Sequence, residues 1–435
     1  MHLRTTALIA ALTVATSVRA QAPAPPAVLT VTLDEAVQLA LRVSPDLARD
    51  TGAVRTAAAA ERTARAAFLP TLSLESSILR STTPSPLSQP GALGGVADRT
   101  SAAGLAANLD LFTGGRRGAE RRRAAAIRDA SDAGLVARRF EVTLEAERAV
   151  FDALRAADQL RVGKARVARA EQGLAYAKHR HDAGVATRSD ELRARLELSQ
   201  ARQALAQTDG ALRTARWALG RVVGADGPVD AKAVDSLAPH PLALDDTAIV
   251  ALVADRAPLV QSAEAADRAA TATVRSARAR YAPTVQLGGA YRVVGQPSAP
   301  TVGPRDPVWA LRLGMSYPLF DGFQREETVT RARVESDVAG SALRDTRRAA
   351  RLEAERSLEA LHVAQERIAL AEEGVQVATE DLRVVTVRYQ NGAASILDLI
   401  TSQTNLSGAE SSLVDARFDY AVARAELSAL AGRPL

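Results

Sequence analysis

The 435-residue chain contains no cysteine, only two methionines and two tryptophans, and aromatic residues make up just 3% of it. The absence of cysteine excludes disulfide frameworks, cysteine metal sites and thiol catalysis. The aromatics are too few for a conventional globular core of this size. Much of the 47% hydrophobic fraction is alanine, which favours closely packed helices. No stretch of 18 or more apolar residues occurs, so the sequence predicts no transmembrane helix.

Lysine is also scarce, because all but Lys164, Lys178 and Lys232 of the 55 basic residues are arginine. The chain also contains 50 acidic residues, so its formal net charge is +5. The arginines alternate with glutamate and aspartate along predicted helices, as in LEAER at 144–148. This pattern indicates a solvated, salt-bridged helix surface, so we predict no nucleic-acid partner.

Residues 1–20 have the features of a secretory signal peptide. Arg4 provides the positive charge, residues 7–15 form a short apolar core, and Val18 and Ala20 fit the small-residue cleavage pattern. The length and flanks of this segment disfavour the alternative, a buried helix. The mature chain would then begin with a flexible leader at 21–32, and the protein would be exported from a Gram-negative cell.

The mature chain consists of two copies of one pattern. Residues 36–74 match residues 249–287, and LEAER at 144–148 recurs at 352–356. RHDAGVATRSD at 180–190 aligns with RYQNGAASILD at 388–398. We therefore predict a first repeat at 33–223, a linker at 224–245 and a second repeat at 246–435.

Each copy is predicted to contain helices, two strands, and then a very long helix that turns back. In the first copy the helices lie at 34–42 and 46–67, and a Ser-, Pro- and Gly-rich loop at 80–100 separates strands at 71–79 and 105–112. A helix follows at about 116–181 and returns to about 219. The clearest strand of the second copy is 308–320. The predicted fold class is mainly α, with four strands per chain.

These strands have the length of membrane-spanning strands, but four cannot close a barrel, and lipid does not tolerate open sheet edges. Either the sheet is a soluble cap on a coiled coil, or several chains share one barrel. Most aromatics in or beside the four strands lie near strand ends, as a membrane-interface girdle requires. The candidate girdle residues are Phe68, Phe112, Tyr281, Tyr291, Trp309, Tyr317, Phe320 and Phe323.

Several motifs together carry a family resemblance. They are TLDEAVQLALRVSPDL at 32–47, F/Y-x-P-T at 68–71 and 281–284, PLFDGFQRE at 318–326 with its copy LFTGGRRGAE at 111–120, and RYQNGAASILDLITSQTNLSGA at 388–409 with its copy at 180–201. With them the sequence resembles the TolC-like outer membrane efflux protein family over essentially the whole mature chain. The resemblance implies a homotrimer that forms one 12-stranded outer-membrane β-barrel and a long periplasmic coiled-coil tunnel.

The resemblance further implies a passive exit duct for tripartite efflux or secretion, without enzymatic activity or cofactors. Its partners would be outer-membrane lipid, a periplasmic adaptor protein and an inner-membrane transporter. A periplasmic coiled-coil scaffold without a barrel is the alternative. A secreted enzyme is disfavoured, because no Ser/His/Asp set or phosphate-binding glycine loop appears. His179 and His181 diverge on a helix, so we predict no metal site.

Two glycine turns between long helices are the first candidate sites. The resemblance implies that they are tunnel tips that meet the adaptor, whereas the simpler alternative is that both glycines are helix C-caps. The candidate tip residues are Gly184, Val185, Ala186, Ser189, Gly392, Ala393, Ala394 and Ser395.

A gate is expected on the helices beside these tips. In a trimer, three copies of Asp398 would form a ring, and like charges held close raise carboxylate pKa values or bind cations. The alternative is a solvated aspartate, and Asp190 holds the same place in the first copy. Thr401 stands where the family commonly has a second acid. The resemblance implies that Tyr389 hydrogen-bonds Asp190. Ala394 replaces a basic residue of the lock, so we expect a looser lock and more leak from Tyr389→Phe.

Overall fold

The computed structural model describes residues 29–82, 97–233, 237–242, 244–295 and 307–435. The predicted signal peptide, residues 21–28 of the predicted leader and residues 83–96 of the predicted loop lie outside these ranges. None of the helices in the described ranges combines the length and hydropathy needed to cross a lipid bilayer.

The described elements follow the same order in the two halves of the chain. The first half contains β1 (Leu29–Val31), α1 (Leu33–Val43), α2 (Pro45–Ala66), β2 (Thr71–Thr82), β3 (Ala97–Phe112), α3 (Arg116–Asp182) and α4 (Arg188–Val223). The second half contains β4 (Val229–Ala231), α5 (Asp246–Arg256), α6 (Pro258–Arg278), a 3₁₀ turn (Ala279–Tyr281), β5 (Thr284–Gly295), β6 (Pro307–Ser316), α7 (Gln324–Gln390) and α8 (Ile396–Ala431). Both long helices have 67 residues and both return helices have 36. At about 1.5 Å per residue, each long helix extends roughly 100 Å.

The described structure departs from the prediction at three places. The predicted leader contains β1, which pairs in parallel with β4 in the predicted linker. The strand predicted at 308–320 ends at Ser316, because Pro318 lacks a backbone N–H and the chain then turns into α7. The ends of the predicted loop, 80–82 and 97–100, belong to β2 and β3.

Local capping signals explain where the short helices begin. Thr32 caps α1, because its hydroxyl accepts the Glu35 N–H and the Glu35 carboxylate accepts the Thr32 N–H. The Ser44 hydroxyl accepts the N–H of Leu47 at the start of α2, and Pro45 occupies the first helical position. Pro258 likewise occupies the first position of α6, but the preceding Ala257 provides no side-chain cap.

The long helices form two antiparallel hairpins that share one seam. Helix α3 packs against α4, α7 packs against α8, and α3 contacts α8 between the hairpins. Small residues such as Ala146 and Ala354 are fully buried, which lets the helices approach closely. Polar pairs also bridge the α3–α8 seam. Arg155 contacts Asp419 at 2.7 Å, and Arg169 contacts Glu410 at 2.6 Å.

The four long strands form an antiparallel sheet in the order β2-β3-β5-β6. Their register aligns apolar residues in rows across one face, including Leu74, Leu105, Tyr291 and Trp309 in one row and Leu72, Ala107, Gly289 and Leu311 in the next. The opposite face carries polar and small residues, with an ion pair between Arg292 and Glu75 at 3.3 Å. The apolar face is uncovered, with Leu74 78% and Trp309 77% exposed.

Candidate functional site at the helical tips

The first hairpin reverses direction at Gly184. This glycine adopts a left-handed backbone with φ +74°, and its N–H donates to the His181 carbonyl at 2.8 Å. The Val185 N–H then donates to the Arg180 carbonyl at 2.9 Å. No heavy atom lies within 4 Å of where a Cβ on Gly184 would stand. Glycine is therefore required here by the backbone conformation and not by lack of space.

The second hairpin reverses in the same way at Gly392, which has φ +80°. The Ala393 N–H donates to the Arg388 carbonyl at 2.8 Å. A Cβ on Gly392 would lie 3.5 Å from the Arg180 guanidinium, so this tip is close to the first hairpin. Both glycines thus follow a helix end in a left-handed conformation, as the simpler alternative expects. Adaptor docking at these turns stays a prediction.

The return helices begin with matched capping boxes. Asp190 accepts the Thr187 N–H at 3.0 Å, and the Thr187 hydroxyl accepts the Asp190 N–H at 3.3 Å. In the second hairpin Asp398 accepts the Ser395 N–H at 2.8 Å, and the Ser395 hydroxyl accepts the Asp398 N–H at 3.2 Å. The candidate Ser189 is exposed in the first turn of α4, one residue past its start. Thr187 is the capping residue that our sequence analysis missed, although its spacing to Asp190 was the available signal.

The two candidate gate residues Asp190 and Asp398 each accept hydrogen bonds within their own turn. The Ser395 backbone N–H, followed by the Ser395 hydroxyl, lowers the pKa of Asp398 below its ordinary value. Asp398 therefore stays charged at neutral pH. Asp398 and Thr401 are both exposed on α8. A ring of three Asp398 side chains stays a prediction.

The predicted hydrogen bond from Tyr389 to Asp190 is wrong. The Tyr389 side chain is only 3% exposed, and its hydroxyl has no hydrogen-bond partner among the described residues. Asp190 instead accepts the Thr187 N–H and hydroxyl. Burial raises the pKa of Tyr389, the Arg180 charge opposes this, and the nearby Asp190 charge adds to it. The phenol is therefore neutral, and the expected leak of Tyr389→Phe loses its structural basis.

Arg180 makes a polar contact between the two tips, beside an apolar cluster that includes Ala177 and Leu399. From α3 it donates to the Tyr389 carbonyl at the end of α7, and its guanidinium carbon lies 4.8 Å from the centre of the Tyr389 ring. A cation at this position faces the negative end of the α7 dipole. Arg388, at the equivalent place in α7, donates only within its own turn, to Ala393 at 3.1 Å. Arg180 thus supplies a contact between the tips that needs no basic residue at position 394, and the looser lock expected from Ala394 stays a prediction.

Sequence reasoning missed Arg180 because it lies among many helical arginines and its partner is 209 positions away. No spacing rule distinguishes it from its neighbours. The alignment of 180–190 with 388–398 places Arg180 opposite Arg388, but only the packing of the hairpins separates their roles.

Matched arginine–aromatic contacts occur at the other end of the long helices. The Arg117 guanidinium carbon lies 4.9 Å from the Phe68 ring centre, and that of Arg325 lies 5.0 Å from the Tyr281 ring centre. Each aromatic belongs to an F/Y-x-P-T motif, so each contact fixes the path from a short helix into a strand. All eight candidate girdle residues are exposed, the other six being Phe112, Tyr291, Trp309, Tyr317, Phe320 and Phe323. Their contact with lipid stays a prediction.

The described ranges contain no group of three or more His, Asp or Glu residues placed to hold a metal ion. The His181 Nδ1 atom instead lies 3.3 Å from the Ala186 carbonyl oxygen, within the first tip.

Comparisons with known proteins agree with this architecture. The chain is 29% identical over 378 residues to protein CyaE of Bordetella pertussis, which covers 85% of this chain and 77% of CyaE. It shares its fold with a membrane protein from Pseudomonas aeruginosa at 22% identity and TM-score 0.81, over 93% of this chain and 91% of that one. It also shares its fold with the CmeC outer membrane channel of Campylobacter jejuni at 17% identity and TM-score 0.80, over 92% and 85% of the two chains. The model of the outer membrane efflux protein family matches residues 36–225 and 249–433. Because these ranges cover most of both halves, the chain belongs to the outer membrane efflux protein family.

Proposed function

We propose that three copies of this chain form a passive exit duct in the outer membrane of a Gram-negative bacterium, serving tripartite efflux or secretion. The observation that carries this proposal is the uncovered apolar face of the four-stranded sheet. The face is continuous across all four strands, and strands β2 and β6 each pair on one side only within the described chain.

A shared barrel satisfies both features of the sheet. Unpaired strand edges are costly in lipid, so an isolated four-stranded sheet is not a stable membrane structure. Three copies would supply 12 strands and leave no edge. The apolar rows would then face lipid, while Glu75 and Arg292 on the opposite face would line the water-filled lumen.

The helical hairpins support the same assembly. On α7 the exposed residues Val363, Leu370, Val377 and Val384 are spaced by seven positions. A heptad row of this kind packs against a neighbouring helix in a coiled coil, yet here it is uncovered. A neighbouring copy would cover it, and the hairpins of three copies would enclose a periplasmic tunnel.

The tips are where we propose that the adaptor docks. Val185 is 64% exposed at the first turn, and the second turn presents Gly392 and Ala393. An inner-membrane transporter would act through this adaptor. Asp398 and Thr401 would narrow the duct, and the contact of Arg180 with Tyr389 would hold the hairpins together. The matched element orders, lengths and caps also support two tandem repeats.

The alternative function is a periplasmic coiled-coil scaffold. A charge introduced on one face or the other of β6 distinguishes this scaffold from a membrane duct. Leu311 lies on the apolar face and Ala310 on the opposite face, and both are exposed. An arginine facing the bilayer midplane costs about 2–4 kcal/mol. We expect Leu311→Arg to abolish heat-modifiable mobility and outer-membrane fractionation, and the matched control Ala310→Arg to preserve both. Equal tolerance of the two variants, or a wild-type protein that fractionates with the periplasm, would favour the scaffold.

A further inference from the structure

A pocket of about 260 Å³ opens at the base of the sheet, where the two halves of the chain meet. The first half contributes Thr113 and Arg116 from the turn between β3 and α3. The second half contributes Arg280 from the 3₁₀ turn, Asp321 from the turn between β6 and α7, and Arg325 from the first turn of α7. The pocket therefore joins the two sheet-to-helix corners.

The pocket has an excess of positive charge. Its one lining carboxylate, Asp321, is paired with Arg325 at 2.8 Å, and both side chains are largely buried. Arg116 makes an ion pair with Asp110 at 3.7 Å, which is beyond hydrogen-bond distance. Arg280 makes no hydrogen bond or ion pair with any residue that the structure describes. Arg280 is thus available to an anion, and Arg116 is held only by this long ion pair.

The nearby Glu120 does not neutralise Arg280. Its carboxylate already binds the Ser276 hydroxyl at 2.7 Å and Arg123 at 3.1 Å. Burial raises the pKa of Glu120, but Ser276, Arg123 and, more weakly, Arg280 together hold it below its ordinary value. Glu120 is therefore ionised and committed to partners other than Arg280.

Exposed apolar residues, called the rim below, adjoin the lining residues of the pocket along the chain. Leu319, Phe320 and Phe323 alternate along the chain with the lining residues Pro318, Asp321 and Gln324, and Leu319 is 87% exposed. Phe320 and Phe323 stack edge to face with ring centres 5.6 Å apart. Phe323 has φ +65°, and among the described residues it is the sole non-glycine with a positive φ. A bulky residue in this disfavoured conformation holds an aromatic ring at the surface.

We propose that this pocket binds the phosphate of an anionic lipid headgroup, with Arg116 and Arg280 as ligands and the apolar rim against the acyl chains. A free phosphate ion would use the arginines but would gain nothing from the rim. The bound headgroup would contact both halves of the chain and hold them together where the sheet ends. The inference rests on the proposed function, because it assumes that the sheet lies in the outer membrane.

The test measures binding of dihexanoyl phosphatidylglycerol to the full-length protein in detergent by calorimetry. We expect Arg116→Gln/Arg280→Gln to weaken binding about tenfold or more, since two charge-assisted contacts are lost. The matched control is Arg121→Gln/Arg122→Gln, which removes the same charge from exposed positions on α3 and should leave affinity unchanged. Inorganic phosphate should compete only at a large molar excess over the lipid.

Equal weakening by both double variants would overturn the inference, because it would indicate unspecific attraction to a basic surface. Competition by inorganic phosphate at the concentration of the lipid would also overturn it, in favour of a small-anion site. The single variant Arg280→Gln changes an exposed residue and keeps the test valid if the double variant misfolds. Fractionation of the wild-type cells separates the two failures. If the protein is found in the outer membrane but shows no lipid selectivity, only this inference is wrong. If it is found in the periplasm, the proposed function is wrong.

Discussion

The first half of the chain turns from sheet to helix through Gly114 and Gly115, whereas the second half turns through Gly322 and Phe323. All four residues have positive φ, between 59° and 81°, so the two corners share one backbone path. Their surroundings differ. A Cβ on Gly114 would lie 1.8 Å from the Ala282 Cβ, while nothing lies within 4 Å of a Cβ on Gly322. The first corner is packed against the chain at Gly114, whereas the second is open at the equivalent Gly322.

The tips differ in the same manner. Both have a left-handed glycine and a capping box, but Arg180 reaches across to the other hairpin whereas Arg388 stays within its own turn. Shared features therefore mark what the scaffold needs. Differences between equivalent positions mark where the two halves act on each other or on a partner.

The largest expected effect comes from the packed corner. Gly114→Ala should lower the free energy of unfolding by roughly 2–5 kcal/mol, because overpacking against Ala282 adds to the left-handed backbone cost. Gly322→Ala should cost only about 1–2 kcal/mol, the backbone term alone. The folded yield and the unfolding temperature of detergent-extracted protein measure the difference. Similar losses in the two variants would contradict the contrast between a packed and an open corner.

The next effect separates the two tip arginines. Arg180→Gln should raise the entry of a large antibiotic several-fold, because a charge-assisted hydrogen bond contributes about 1.5 kcal/mol or less when partly exposed. Arg388→Gln, which breaks only a contact within one turn, is the matched control and should leave entry near wild type. Tyr389→Phe should also behave like wild type, since its hydroxyl has no partner among the described residues. If Tyr389→Phe leaked and Arg180→Gln did not, the Tyr389 hydroxyl would hold the tips together and the proposed role of Arg180 would be wrong.

Substitutions at the equivalent corner residues Gly115 and Phe323 should change the free energy of unfolding in opposite directions. Gly115→Ala should destabilise the detergent-extracted protein by about 1 kcal/mol, and Phe323→Gly should stabilise it by about the same amount. The reason is that both positions are left-handed and a Cβ on Gly115 would meet no atom within 4 Å. Thermal unfolding of the two variants beside Phe323→Ala measures this, because alanine keeps the backbone cost while removing the ring. Loss of stability in Phe323→Gly would show that the ring itself stabilises the fold.

The smallest expected effect is a pH dependence at the second tip. Because the folded state lowers the pKa of Asp398, its capping contribution is present above the ordinary aspartate pKa and is lost as pH falls below about 4. Asp398→Asn should therefore be slightly less stable than wild type at neutral pH, and the difference should vanish in acid. Thr401→Ala, at an exposed position on the same helix, is the control. A variant more stable than wild type at neutral pH would mean that repulsion within an Asp398 ring outweighs the cap.

How far the sequence predicts the fold depends on how local each signal is. The ends of α1, α2 and α3 were predictable to within about two residues, because Thr32, Pro45 and Gly184 act within a single turn. Strands β1 and β4 were missed because three-residue strands have no periodicity, and their pairing joins segments about 200 residues apart. The end of β6 was overestimated because the apolar alternation continues past Ser316 as surface residues.

In the candidate site, too, the features with a local sequence signal could be predicted and those that depend on long-range packing could not. The two caps could be predicted because Asp190 and Asp398 follow a hydroxyl residue at the capping spacing. The contact of Arg180 with Tyr389 could not, since it depends on how the hairpins pack along the α3–α8 seam. That packing is set by many small contacts and not by a local rule.

The most direct test of the duct is the native mass of the protein extracted from purified outer membranes. A shared 12-stranded barrel requires a complex of three chains, about three times the 45.8 kDa of the full sequence. The account predicts this trimer in the outer-membrane fraction. A monomer there, or the same protein in the soluble periplasmic fraction, would contradict it, because four strands cannot close a barrel alone.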